Sequence, residues 1–82
     1  MIIRMYSIED STAGEFGQPG PMTNDNVAIR SFGQLINEPG SMMYSKPEDF
    51  NMYYVGTFET TTGTMIGELP KKLVNGASLK EN

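Results

Sequence analysis

Apolar residues fall in short runs separated by Gly, Pro and polar residues, and the period within each run predicts an element. Ile2-Ile3-Arg4-Met5-Tyr6-Ser7-Ile8, stopped by Glu9-Asp10-Ser11, is rich in β-branched and aromatic residues and predicts a strand with Ile2, Tyr6 and Ile8 sharing a face with Arg4. From Ser11 to Met22 three Gly and two Pro occur without periodicity, which predicts a loop pinned to the core by Phe16 and Met22. A helix follows Pro21, with Thr23 or Asn24 as its cap and Asp25 complementing its positive end. Ala28, Ile29, Phe32, Leu35 and Ile36 form its apolar stripe, Gly33 marks close packing on a sheet, and Pro39-Gly40 stops it.

Ser41 to Phe50 reads as a connection with a single helical turn at Pro47, whose start Glu48 and Asp49 suit. Met52 to Thr60 then alternates as a strand, Thr61-Thr62-Gly63 turns, and Thr64 to Leu69 returns until Pro70. In the tail, Asn75-Gly76 signals a turn, Leu73, Val74 and Leu79 dock on the body, and the end frays from about residue 80. The expected fold is α+β: one domain over residues 1–82, with an antiparallel or mixed sheet of about three strands and one amphipathic helix packed on one face. Phe32, Leu35, Ile36 and Phe58 are expected in one core. Strict alternation places Met52, Tyr54, Gly56 and Phe58 on one face of the second strand and Tyr53, Val55, Thr57 and Glu59 on the other.

With 82 residues and no Cys or His, the chain is marginal in size, and it lacks disulfides, Cys and His zinc sites, thiol nucleophiles and histidine bases. One helix cannot cover both sheet faces, so a homodimer is expected, with Tyr53, Val55 and Thr57 as its seam. No apolar stretch approaches a membrane span and no signal peptide is visible, so no membrane partner is expected. Glu48-Asp49 reads as charge at a helix start rather than an acid/base or metal pair. No phosphate cradle or supported Ser-Lys pair is present, and neither enzymatic activity, a metal nor a cofactor is expected.

Tyr44, Tyr53 and Tyr54 cluster with Met42, Met43 and Met52, a composition that suits a core, a dimer seam or a platform for stacking bases. A net charge of −4 argues against a ligand held by many phosphate contacts, although Arg4, Arg30, Lys46, Lys71 and Lys72 can supply local positive charge.

Four ordered blocks extend that reading: Met5-Tyr6-Ser7-Ile8-Glu9-Asp10, Asn24 to Phe32, Pro47-Glu48-Asp49-Phe50, and Val55 to Gly63. Together they resemble the small nonstructural protein of gokushovirus-type microviruses, which are single-stranded DNA phages. The resemblance spans Met5 to about Leu79; Glu59 stands where Asp is more usual, and Gly14 to Gly20 is unusually Gly-rich. It implies an accessory protein acting in the host bacterial cytoplasm during genome replication or packaging, absent from the mature virion and described as DNA-binding.

Two functional readings follow. In one, the protein binds single-stranded DNA as a homodimer, with Tyr44 and Tyr53 stacking on bases and Arg30, Lys46, Lys71 and Lys72 near phosphates. Tyr44 is then the primary platform, and an extended backbone would put it on the same side as Lys46. In the other, the apolar sheet face makes the protein an adaptor for a viral or host replication protein.

Overall fold

A strongly curled antiparallel sheet carries a single long helix on one face, and the computed structural model describes residues 1–81. Strand β1 (Ile2–Asp10) is followed by the short β2 (Glu15–Phe16) and β3 (Gly20–Met22), then helices α1 (Asp25–Ile36) and α2 (Met42–Ser45). A 3-10 turn at Pro47–Asp49 leads into β4 (Phe50–Glu59) and β5 (Thr64–Asn75), and a second 3-10 turn at Gly76–Leu79 closes the chain. β1 pairs with β4, β4 with β5, and both β2 and β3 lie along the outer edge of β1. The sheet therefore has five strands rather than about three. The extra two arise within the expected Ser11–Met22 loop, where the edge of β1 offers backbone hydrogen bonds to a segment without hydrophobic period.

The helix starts where its cap chemistry places it, with the Asn24 side chain accepting from Val27 N at 2.9 Å. Phe32 and Ile36 are fully buried and join Ala28, Tyr6, Phe50 and Met52 in the core. Met22, Leu73, Val74 and Leu79 pack around this cluster. Two expected core members lie elsewhere: Leu35 is 38% exposed on the outer flank of the helix, and Phe58 is half-buried outside the core cluster. Gly33 faces the C-terminal turn instead of the sheet, and a Cβ placed there would meet Leu79 at an ordinary 3.8 Å.

The displacement of Phe58 has a specific cause. Tyr6 pairs with Tyr54 but Met5 pairs with Gly56, so Val55 is an extra residue, and the β4–β5 ladder shifts at the same point. Beyond this bulge the alternation reverses. Thr57 joins the face of Arg4 and Tyr54, while Phe58 joins that of Ile3 and Tyr53. Tyr53, Val55 and Thr57 thus do not share a face as expected. Gly56 permits the irregularity, with φ at 152° and no room for a Cβ beside the Ile66 carbonyl oxygen.

β5 also runs past Pro70, the residue expected to end it. The strand is an edge, and Glu68, Leu69 and Pro70 bow away from the ladder, so the missing N–H of Pro70 removes no sheet hydrogen bond. The chain measures 43 × 23 × 18 Å with a radius of gyration of 13.1 Å, above the roughly 12 Å of a compact domain this long. The helix covers only half of the sheet's length, and the remainder projects as an arm whose tip carries exposed Ile2, Met65 and Ile66.

Candidate nucleic-acid interface

The helix-free face is built as cross-strand rows. Glu9, Asn51 and Asn75 form one row; Ser7, Tyr53 and Lys72 the next; Ile3, Phe58 and Met65 lie at the arm end. The first row is knit by hydrogen bonds, the Asn51 amide donating to Glu9 at 3.0 Å and the Asn75 amide to Asn51 at 2.8 Å. Asn75 also caps the last turn by accepting from Ala77 N at 2.9 Å, so this polar row is structural. In the second row Ser7 donates to the Gly17 carbonyl at 2.7 Å, fixing the strand edge beside Tyr53.

Tyr53 is half-exposed, with Lys72 directly across the ladder. Phe16 packs edge-on against it, ring centroids 4.9 Å apart. Sequence reasoning assigned Phe16 to the core. It is instead 45% exposed and extends the aromatic surface, because pairing with Glu9 places it on the helix-free side. Burial raises the Tyr53 phenol above its ordinary value, and the neighbouring Glu9 adds to the shift. The ring is therefore a neutral hydrogen-bond donor at physiological pH, suited to stacking at a wet surface.

The other candidates are dispersed. Lys71 lies on the opposite sheet face, paired with Tyr54. Arg30 is exposed on α1, on the helical side of the sheet. Tyr44 occupies the single turn of α2, capped by Ser41 at 3.0 Å, and Lys46 ends that turn, so the extended spacing expected of the pair does not occur. The Lys80 ammonium sits 4.0 Å from the centre of the Tyr44 ring and occupies one of its faces.

On the helical side, Arg4 organises the start of α1. Its Nε donates to the Tyr6 hydroxyl at 2.9 Å and its Nη2 to Asp25 at 2.8 Å, and Tyr6 donates to Asp25 at 2.6 Å. The guanidinium also lies 4.0 Å from the Tyr54 ring centre, and Tyr54 donates to Glu68. The bond from Tyr6, then that from Arg4, holds the Asp25 carboxyl below its usual range against an opposing desolvation. Desolvation and the bond to Asp25 push the Tyr6 phenol up. Arg4 is therefore committed to an internal pair, and Lys72 is the cation left facing the aromatic surface.

Among the described residues no three His, Cys, Asp or Glu side chains converge as a metal site, and no helix is long and apolar enough to cross a membrane. Fold and surface define a small α+β protein with one sheet face half covered by a helix and one face presenting aromatic rings beside a lysine. The family described as Phage ORF5 protein matches residues 3–79, and the chain belongs to this family. It is a phage protein. No curated protein and no solved structure matches it.

Proposed function

We propose that this phage protein is a nonenzymatic accessory factor that binds single-stranded DNA on the helix-free face of its sheet, during genome replication or packaging in the host cytoplasm. The observation carrying this reading is the row of Tyr53 and Lys72 with Phe16 edge-on to Tyr53. Rings on an open sheet give stacking surfaces that every base can use, and the lysine gives a phosphate contact. The earlier blocks of resemblance to the gokushovirus nonstructural protein support the same setting. A second copy fits the arm half of this face, where Ile3, Met5, Phe58 and Met65 form an apolar strip separate from Tyr53. That placement removes the conflict between stacking and dimerisation that arises when Tyr53 belongs to both.

Fluorescence anisotropy with single-stranded and duplex oligonucleotides at two salt concentrations tests the reading. Single strands are expected to bind more tightly than duplexes. Tyr53→Ala should weaken binding by about 1–3 kcal/mol without changing the salt slope, while Lys72→Ala should flatten that slope by about 0.7. Absence of binding at low salt, or parental affinity in both variants, refutes it. Sedimentation at micromolar concentration tests the second copy, and a monomeric mass refutes that part alone.

A further inference from the structure

A groove of about 520 Å³ opens between the helical side of β1, the 11–22 segment and α2. Its floor is the edge of the core, Phe50 and Met52 with the partly buried Ile8, and Met22 and Met43 form its walls. The volume lies in the range of sites that bury several side chains or a small ligand, and methionines adapt to irregular apolar shapes. The polar groups nearby are already engaged: Ser7 donates to Gly17 and Tyr6 to Asp25. Among the described residues no buried side-chain polar atom lacks a partner, so the interior selects for apolar contact.

The rim carries the opposite character. Asp10 and Glu15 line the groove and pair across β1 and β2. Ser11 N donates to the Asp49 carbonyl at 2.8 Å, bringing Asp49 to the same end. Three of the chain's ten carboxylates thus gather there, and no Lys or Arg among the described residues lines the groove. The ion pairs found among the described residues, Met1–Glu59 and Arg4–Asp25, lie elsewhere. A negative field around an apolar slot attracts an apolar side chain flanked by cations and repels nucleic acid.

We propose that this groove docks a basic peptide segment of a partner protein, one apolar side chain entering the slot and neighbouring Lys or Arg residues facing the Asp10–Glu15 rim. Phe16 lines both surfaces, but Tyr53 and Lys72 lie outside the groove, so the inference does not rest on single-stranded DNA binding. A protein with both surfaces would bring a basic protein and a DNA strand together.

The test uses the full chain and three fluorescein-labelled synthetic peptides: Lys-Lys-Phe-Leu-Lys-Lys, Lys-Lys-Ala-Ala-Lys-Lys and Glu-Glu-Phe-Leu-Glu-Glu. The first should bind, the second at least roughly tenfold more weakly, and the third not measurably, because affinity needs both the anchor and the charge. Methyl chemical-shift changes should map to Ile8, Met22, Met43 and Met52. Ala13→Trp, which crowds the groove mouth from an exposed position, should abolish binding, and Glu15→Gln should weaken it and reduce its salt dependence. A short oligothymidylate should not displace the peptide. Equal binding of all three peptides, no binding at millimolar concentration, shifts confined to other surfaces, displacement by the oligonucleotide, or parental affinity in folded Ala13→Trp and Glu15→Gln each overturns the proposal.

Discussion

Replacing Gly56 by Ala should be among the most damaging single-atom additions to this chain. At φ 152° a side chain costs about 1–3 kcal/mol in backbone strain. The added Cβ would also overlap the Ile66 carbonyl oxygen and lie 3.2 Å from Gly67 Cα. Both neighbours are backbone, so relief requires the Gly56–Gly67 and Thr57–Ile66 pairings to move, at about 1–3 kcal/mol for forced repacking. The combined loss of about 2–6 kcal/mol compares with a total stability of about 4–12 kcal/mol for this length. Each kcal/mol should lower Tm by about 6 °C. Urea and thermal unfolding followed by circular dichroism measure the loss. Gly67→Ala supplies the control, since a Cβ there meets nothing within 4 Å and its φ is ordinary. If Gly56→Ala unfolds within about 0.5 kcal/mol of the parent, or Gly67→Ala is equally destabilising, the bulge does not hold the sheet in this register.

Phe32→Ala should cost about 3–5 kcal/mol, because the ring is completely buried at the helix–sheet junction; an unchanged urea midpoint would contradict helix-on-sheet packing. Gly33→Ala should stabilise by about 0.5–1 kcal/mol, since the helix gains propensity and Leu79 leaves ordinary contact room, and a lower Tm would show that this space is needed. Asp25, depressed by its bonds from Tyr6 and Arg4, stabilises above its ordinary value of 3.8 and loses that contribution as pH falls through the folded value. Tyr6, raised by burial and the bond to Asp25, stabilises below its ordinary value of 10.0 and loses that contribution as pH rises through the folded value. Tyr6→Phe should therefore shallow both limbs of a Tm against pH curve without abolishing them, because Glu59 is also depressed and Tyr53 and Tyr54 are also raised. Identical limbs in parent and variant would exclude the Tyr6–Asp25 bond as their source.

The helix was legible because its information is local: Asn24 caps it, the Ala28–Phe32–Ile36 stripe faces inward, and Pro39 follows its end. The face of β1 was equally readable, since Arg4, Tyr6 and Ile8 do share one side. Beyond Val55 the same period-two rule failed. Gly56 was the available signal, an isolated glycine inside a strand pattern, and taking it as a bulge returns Phe58 to the side of Tyr53. β2 and β3 had no comparable signal, because their pairing is dictated by the open edge of β1 rather than by side-chain period. The aromatic surface was partly visible: Tyr53 and Lys72 were both candidates, though not as a cross-strand pair, and Phe16 reaches the ring across strands from a position 37 residues away.

An acidic chain can hold a polyanion only if contact chemistry outweighs the global field, and the geometry sets how far that goes. Lys72 faces Tyr53 from across the strand, whereas Glu9 lies one row away on the same face, so the local electrostatic gain is small. Stacking must then carry the affinity. Two rings at about 1–3 kcal/mol each supply roughly 2–6 kcal/mol, which for one protomer corresponds to millimolar or weaker binding over much of that range. Useful affinity therefore requires several protomers on one strand or a second copy joined through the arm, which turns the next contact into an intramolecular one. If single-stranded DNA is bound as proposed, the apolar strip of Ile3, Met5, Phe58 and Met65 and the Tyr53 row serve a single function, and substitutions confined to that strip should weaken binding without touching the Tyr53 row.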